Sequence, residues 1–213
     1  MKVVNIYTDG ACAGNQNEEN VGGWGCVLEY NGNEKELCGG EVNTTNNRME
    51  LTALIEALSA LKQSGLELHI FSDSSYLVNC FRNRWYEAWQ TNGWRTSQKK
   101  PVENRELWEK LLELLSGNTP FFFLVKGHQS LKEGGAKANA AAFKRFREHN
   151  DEELGRTSAG GRFNYKRFSQ IVDYNNRCDA LANVFINENR PVATELPAEA
   201  AGAEAVQGTE AAE

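Results

Sequence analysis

Apolar and polar positions change period several times along the chain, and each change marks an element. Val3 to Thr8 is a β-rich run that ends at Asp9-Gly10. Gly14 to Gly23 reads as a polar loop. Trp24 to Tyr30 and Lys35 to Val42 read as two further strands, with Asn31-Gly32-Asn33 as the hairpin turn between them. Leu51, Leu54, Leu58 and Leu61 then recur at helical spacing. Leu66 to Phe71 predicts a strand ending in Ser72-Asp73-Ser74, and Ser74 to Arg82 predicts a helix. A third helical pattern, Val102 to Leu115, is stopped by Gly117-Asn118 and Pro120. Phe121 to Val125 reads as a buried strand running into Lys126-Gly127-His128. The opening order βββαβα implies an antiparallel hairpin set joined to a parallel strand by a helical crossover, hence an α/β fold.

After His128 the pattern is harder to read. Ala136 to Glu148 predicts a helix, and a further helix opens at Asn175-Asn176-Arg177-Cys178-Asp179 and runs through Phe185. Between residues 130 and 173 the chain is locally basic, with Lys137, Lys144, Arg145, Arg147, Arg156, Arg162, Lys166 and Arg167. Phe143, Phe146, Phe163, Tyr165 and Phe168 are interleaved with them. Residues 191–213 are Ala, Glu and Gly without periodicity, the composition of a disordered acidic tail.

Composition narrows the class. With 213 residues and 40% hydrophobic positions, the chain suffices for one domain with a real core, 1–190, plus the tail. The net charge of -6 announces no nucleic-acid partner, so charge has to be read locally. Residues 82–101 are such a place: Arg82, Arg84, Arg95, Lys99 and Lys100 interleave with Trp85, Trp89 and Trp94. Cations neutralise phosphates and flat rings pack on sugars and bases; the competing reading is an amphipathic helix with core tryptophans. Five cysteines with no CxxC spacing read as reduced thiols in a cytoplasmic protein rather than as disulfides or a zinc site. The N-terminus is too short and polar for a signal peptide, and no apolar run approaches a membrane span. Nothing in the sequence demands more than a monomer.

The candidate chemistry lies in four acids. Asp9 and Asp73 end strands, and Glu50 and Asp179 fall near helix starts. Each has an ordinary explanation: a strand-ending turn for Asp9, a capping box of Asn47 with Glu50, a helix N-terminal acid for Asp179. Together they describe one rim. Four carboxylates there would repel unless divalent cations neutralised them, and an oxygen-only ligand set suits Mg²⁺ or Mn²⁺ rather than zinc. Paired metals about 4 Å apart are a recurring solution for phosphodiester hydrolysis. His128, on a glycine turn at a strand end, is a candidate proton carrier, histidine being the side chain that changes charge nearest neutral pH.

Thr8-Asp9-Gly10, Thr44 to Leu51, Ser72-Asp73-Ser74, Lys126-Gly127-His128 and Asn176-Arg177-Cys178-Asp179 occur in the order seen in type 1 ribonuclease H. The chain resembles that family over residues 1–128 and 174–188. The resemblance implies a five-stranded mixed sheet flanked by helices. It implies an endonuclease that cuts the RNA strand of RNA–DNA hybrids with two Mg²⁺ ions, Mn²⁺ substituting, and leaves a 5′-phosphate and a 3′-hydroxyl. Asp9, Glu50, Asp73 and Asp179 would be the metal ligands, and His128 the mobile histidine aiding proton transfer or product release. Asn15, Thr45, Asn46 and Arg48 match positions that contact the hybrid; Trp85, Trp89, Lys99 and Lys100 lie in the basic handle that grips the DNA strand. Two departures stand out. Ser75 occupies a position where many members have Gln, and about 50 residues separate His128 from Asp179. That inserted segment could add hybrid contact, dock a protein or be a mobile insertion. Its charge, opposite to the protein's overall sign, favours nucleic acid. A non-catalytic hybrid-binding module and a junction-resolving or integrase-type nuclease are the rival classes; the four intact acids oppose the first, and the tryptophan-rich basic segment with Lys126-Gly127-His128 opposes the second.

Overall fold

The computed structural model of the protein describes residues 1–14, 20–158 and 163–189. Asn15 and the tail 191–213 lie outside the described residues. Five strands form one mixed sheet in the order β3-β2-β1-β4-β5. They are β1 (Val3–Ala13), β2 (Val21–Tyr30), β3 (Asn33–Val42), β4 (Glu67–Ser72) and β5 (Thr119–Leu124). β1 pairs antiparallel with β2 and parallel with β4, which pairs parallel with β5. The helices are α1 (Asn46–Ser59), α2 (Ser75–Arg82), α3 (Trp85–Thr91), α4 (Arg105–Leu115), α5 (Ala136–Arg156) and α6 (Tyr165–Asn189).

Two apolar clusters cover the two sheet faces. One joins Ile6, Leu68 and Ile70 to Leu51, Leu54 and Leu58 of α1 and to Trp108 and Leu111 of α4. The other joins Tyr7, Phe71 and Phe123 to Ala142, Phe146 and Leu154 of α5 and to Phe168, Ile171 and Val172 of α6. Ile6 against Tyr7, and Ile70 against Phe71, are the period-2 alternation that sends neighbours to opposite faces.

Several sequence expectations need correction. The strands extend into the expected polar loop, because Gly22 and Gly23 sit inside β2 where helix α6 and α1-side groups pass too close for a Cβ. The cap of α1 is Thr45, whose Oγ1 accepts from the Arg48 N–H at 3.3 Å, and not Asn47; the Asn47–Glu50 capping box does not form. α6 begins ten residues before the expected start at Asn175, so Asp179 lies deep within a 25-residue helix instead of its first turns. Phe168, Ile171, Val172, Asn175, Cys178, Ala182 and Ile186 form its buried stripe. Within the segment 130–173, α5 and the first half of α6 pack on the sheet and add Ala142, Phe146, Leu154, Phe168, Ile171 and Val172 to the second core. Phe146 and Phe168 are buried there, so these two rings are core, while Tyr165 stays exposed.

Helix α5 also protects a sheet edge. β5 is an outer strand, and its free groups would otherwise be open to pairing. Asn150 of α5 accepts from the Leu124 N–H at 2.8 Å and donates to the Leu124 C=O at 3.0 Å. Arg82 donates to the Phe122 C=O through Nη2 at 2.7 Å and also bonds Asn150. Asn150→Ala is expected to lower stability by about 2 kcal/mol, because it strands the half-buried Leu124 N–H and C=O on β5 and leaves Arg82 without its amide partner. Urea unfolding of the variant measures this, and a loss under about 0.5 kcal/mol would show that water replaces the amide.

Candidate active site

The parallel register brings the first two acids together. Thr8 pairs with Ser72 at the last step of the β1–β4 ladder, so Asp9 and Asp73 are the next residues on adjacent strands. β1 itself continues to Ala13 against β2, so Asp9 does not end its strand as expected from sequence. The rim exists because β4 stops at Ser72.

Glycines let the other two acids approach. A Cβ on Gly10 would stand 2.3 Å from the Glu50 backbone N, so α1 passes directly over β1 there. Gly25 lies opposite Asp9 across the β1–β2 ladder, and a Cβ on it would stand 2.4 Å from the Cys178 carbonyl O. That close passage seats Asp179, the next residue of α6. A Cβ on Gly127 would fall 2.2 Å from Asp73 Oδ2, so the turn after β5 closes over Asp73.

The carboxylates feel one another. Asp9 is 7% exposed. Burial pushes its pKa up to about 8, reinforced by the charges of Asp73, Asp179 and Glu50. Burial raises Glu50 to about 7, against hydrogen bonds from Ser74 and Asn46. Asp73 is raised as well, first by burial, with Asp179 adding to the rise. Glu50 is firmly held: Asn46 Nδ2 donates to Oε1 at 3.0 Å and Ser74 Oγ donates to Oε2. His128 is largely exposed, with Nδ1 3.6 Å from Asp179 Oδ2, and takes a left-handed φ of 50°.

These donors fit hard divalent cations: all are oxygen, and Asp9, Glu50 and Asp73 are held above the ordinary carboxylate range first by burial and then by neighbouring charge. Among the described residues no three His, Cys, Asp or Glu side chains already surround a point that a single ion could fill. Mg²⁺ accepts so open a site, since it keeps several waters and takes one or two carboxylates plus substrate phosphates.

The expected hybrid-contact residues divide. Thr45 is exposed at the α1 cap, and Asn46 bonds Glu50. Arg48 is met by Asn104 Oδ1 at 3.1 Å and by the Glu106 and Glu41 carboxylates. Trp85, Lys99 and Lys100 are exposed, and Trp85 and Lys100 edge an open cavity of about 620 Å³. Trp89 and Trp94 are each only 8% exposed and belong to the core, so for Trp94, and for most of Trp89, the competing reading of core tryptophans is correct. Two residues near the acids were missed from sequence. Ser74 holds Glu50. Asn175, buried on α6, offsets part of the Asp73 rise, although neither of its amide atoms reaches full hydrogen-bond geometry with a described group. The Asn175-Asn176 pair ahead of Arg177 was the available signal.

The RNase H family model matches residues 1–146. The chain belongs to the ribonuclease H family. Among curated relatives, ribonuclease H of Syntrophomonas wolfei is 51% identical over 128 residues, covering 60% of this chain and 86% of the relative. Ribonuclease H of Moorella thermoacetica is 49% identical over 150 residues, covering 68% of this chain and 96% of the relative. Among solved structures, LC9-RNase H1, described as a type 1 RNase H with the type 2 active-site motif, superposes with a TM-score of 0.54 at 27% identity. It covers 82% of this chain and 85% of its own. The five-stranded mixed sheet with flanking helices is therefore the family's fold, and the rim carrying Asp9, Glu50, Asp73 and Asp179 lies within it. Among the described residues of this ribonuclease H no helix is long and apolar enough to cross a membrane.

Proposed function

We propose that this chain hydrolyses the RNA strand of RNA–DNA hybrids, with Mg²⁺, or Mn²⁺ in its place, held two per site by Asp9, Glu50, Asp73 and Asp179, leaving a 5′-phosphate and a 3′-hydroxyl. The observation that carries the reading is the gathering of four acids from β1, α1, the end of β4 and α6 at one rim, where Asp9, Glu50 and Asp73 are raised by burial and the charge of Asp179 adds to the rise at Asp9 and Asp73. Bound divalent ions supply Lewis-acid charge at the phosphate and acidify the attacking water. The protein's own groups do the rest. Asp9 on β1 and Asp73 just past the end of β4 hold most of the cation charge. Glu50, fixed by Asn46 and Ser74, orients the attacking water and stands toward the RNA strand's 2′-hydroxyl, the group that marks RNA. His128, exposed beside Asp179, carries protons or assists product release. Trp85, Lys99 and Lys100 hold the DNA strand, positioning without reading sequence.

A gel assay with hybrid, double-stranded DNA and double-stranded RNA tests this. Cleavage of the hybrid alone, in Mg²⁺ and not in EDTA, is expected. Cleavage of double-stranded DNA would move the chain to the integrase-type class, and hybrid binding without turnover would make it a binding module.

A further inference from the structure

A second cavity, about 370 Å³, opens on the sheet face opposite the tryptophan-rich segment. Asp73 stands in its wall. So do Lys126 after β5 and Arg145 and His149 of α5, over a floor of Phe146 and Phe168. Its size falls within the range of about 300–1,000 Å³ typical of small-ligand sites. Asp73 is the one acid among its described lining residues; the other polar side chains are the cations Lys126 and Arg145, His149, and the neutral Ser75 and Gln129. Two other cations of α5 are engaged, Lys144 with Glu148 at 3.7 Å and Arg156 with Glu153 at 2.8 Å, whereas Lys137 and Arg147 have no carboxylate partner among the described residues but lie away from this cavity. Among the described residues the Arg145 guanidinium and the Lys126 amine have no such partner. Position 75 also borders the cavity, and its serine is short enough to leave the mouth open.

We propose that this cavity receives a phosphate of the RNA strand next to the cut, with the nucleotide it belongs to, and that Arg145 is its main charge contact. The inference rests on the reading of the rim as a hybrid-cleaving site. Charge complementarity chooses a polyanion over an apolar ligand. Position chooses the strand. The strand being cut must come to Asp73, and Asp73 is part of the cavity wall; the other strand is assigned to Trp85, Lys99 and Lys100 on the far face of the sheet. A planar guanidinium can grip a phosphate through two parallel bonds, while the phenylalanine floor meets the sugar or base. Helix α5 thereby lengthens the grip on the RNA strand beyond the catalytic acids, from a segment that also builds the core.

The test uses the full chain carrying Asp9→Asn, without divalent ions, so that binding is read apart from turnover. Adding Arg145→Ala is expected to weaken hybrid binding about 5- to 10-fold near 0.1 M salt and to reduce the log–log salt slope by about one. Arg147→Ala, which removes the same charge from another face of α5, should change affinity less than about 2-fold. Arg145→Lys should restore the salt slope but only part of the affinity. Single methylphosphonates, which neutralise one phosphate, are then placed along each strand. One RNA position beside the cut should give a loss that does not add to that of Arg145→Ala. Additive losses at every RNA position, a coupled position in the DNA strand instead, or equal effects of Arg145→Ala and Arg147→Ala would each overturn the proposal. Failure of the underlying reading looks different: the wild-type chain would then not cleave hybrid at all.

Discussion

Asp9→Asn is expected to lower hybrid cleavage by at least about 10³-fold while leaving hybrid affinity within about 2-fold, because it removes a ligand for catalytic charge and no contact to the duplex. The same substitution should stabilise the protein in EDTA. The native state binds the Asp9 proton more tightly than the unfolded chain does, since its pKa is pushed up to about 8 from the ordinary carboxylate range. A raised carboxyl pKa makes folding progressively less favourable as pH climbs from about 4 to 8, with the full penalty above that window. Neutral Asn carries no such penalty. At pH 8 in EDTA the gain should be about 2–3 kcal/mol, or roughly 5–10 °C in Tm, and should vanish near pH 4. Adding Mg²⁺ should narrow the gap, because bound cations stabilise only the wild-type acid cluster. Thermal melts across pH, with and without Mg²⁺, measure it. A variant that cleaves at the wild-type rate, or an apo stability difference independent of pH, would contradict the crowded-acid picture.

Gly25→Ala is expected to damage both stability and turnover. The added Cβ would meet the Cys178 carbonyl O at 2.4 Å, the Leu181 Cβ at 2.6 Å and the Ala182 N at 2.9 Å, mostly backbone of a long helix that cannot step aside cheaply. Overpacking of this kind costs about 1–3 kcal/mol, and the rigid partner places it at the upper end. Relief requires α6 to lift from β2, which moves Asp179 away from Asp9. A displacement near 1 Å at a catalytic group can cost about 10²-fold in rate. Gly32→Ala is the contrasting substitution: Gly32 has nothing within 4 Å of a Cβ but takes φ +77°, so it should lose about 1 kcal/mol through backbone strain alone and leave kcat unchanged. Urea unfolding and steady-state cleavage of both variants separate the effects. Normal kcat in Gly25→Ala would mean that the seat of Asp179 is set elsewhere.

Much of this site was legible before any coordinates. β-rich and apolar runs bounded by turn residues identified all five strands, and the leucines at 51, 54 and 58 identified α1 and its buried face. Acids at the ends of such elements pointed to a shared rim, because parallel strands joined by crossovers bring their carboxyl ends to one side. The aromatic residues misled. Trp89, Trp94, Phe146 and Phe168 stand among cations in sequence, yet they fill the two cores. A large ring beside a charge has the same local pattern whether it points in or out, and only the neighbouring element decides.

The sequence by itself pointed to the family through five motifs in order, gave most of the strand and helix types through period, and nominated four acids as candidate cation ligands through their chemistry. Only the tertiary structure decided how the acids meet. The β1–β4 register sets Asp9 beside Asp73, and glycines on β1 and β2 let α1 and α6 descend until Glu50 and Asp179 join them. The same holds for α5, whose basic composition gave no hint that Asn150 would close the sheet edge and Arg145 would border the cavity at Asp73. Close passage of backbones and the pairing of an outer strand are relations between segments far apart along the chain, and local period carries no record of them.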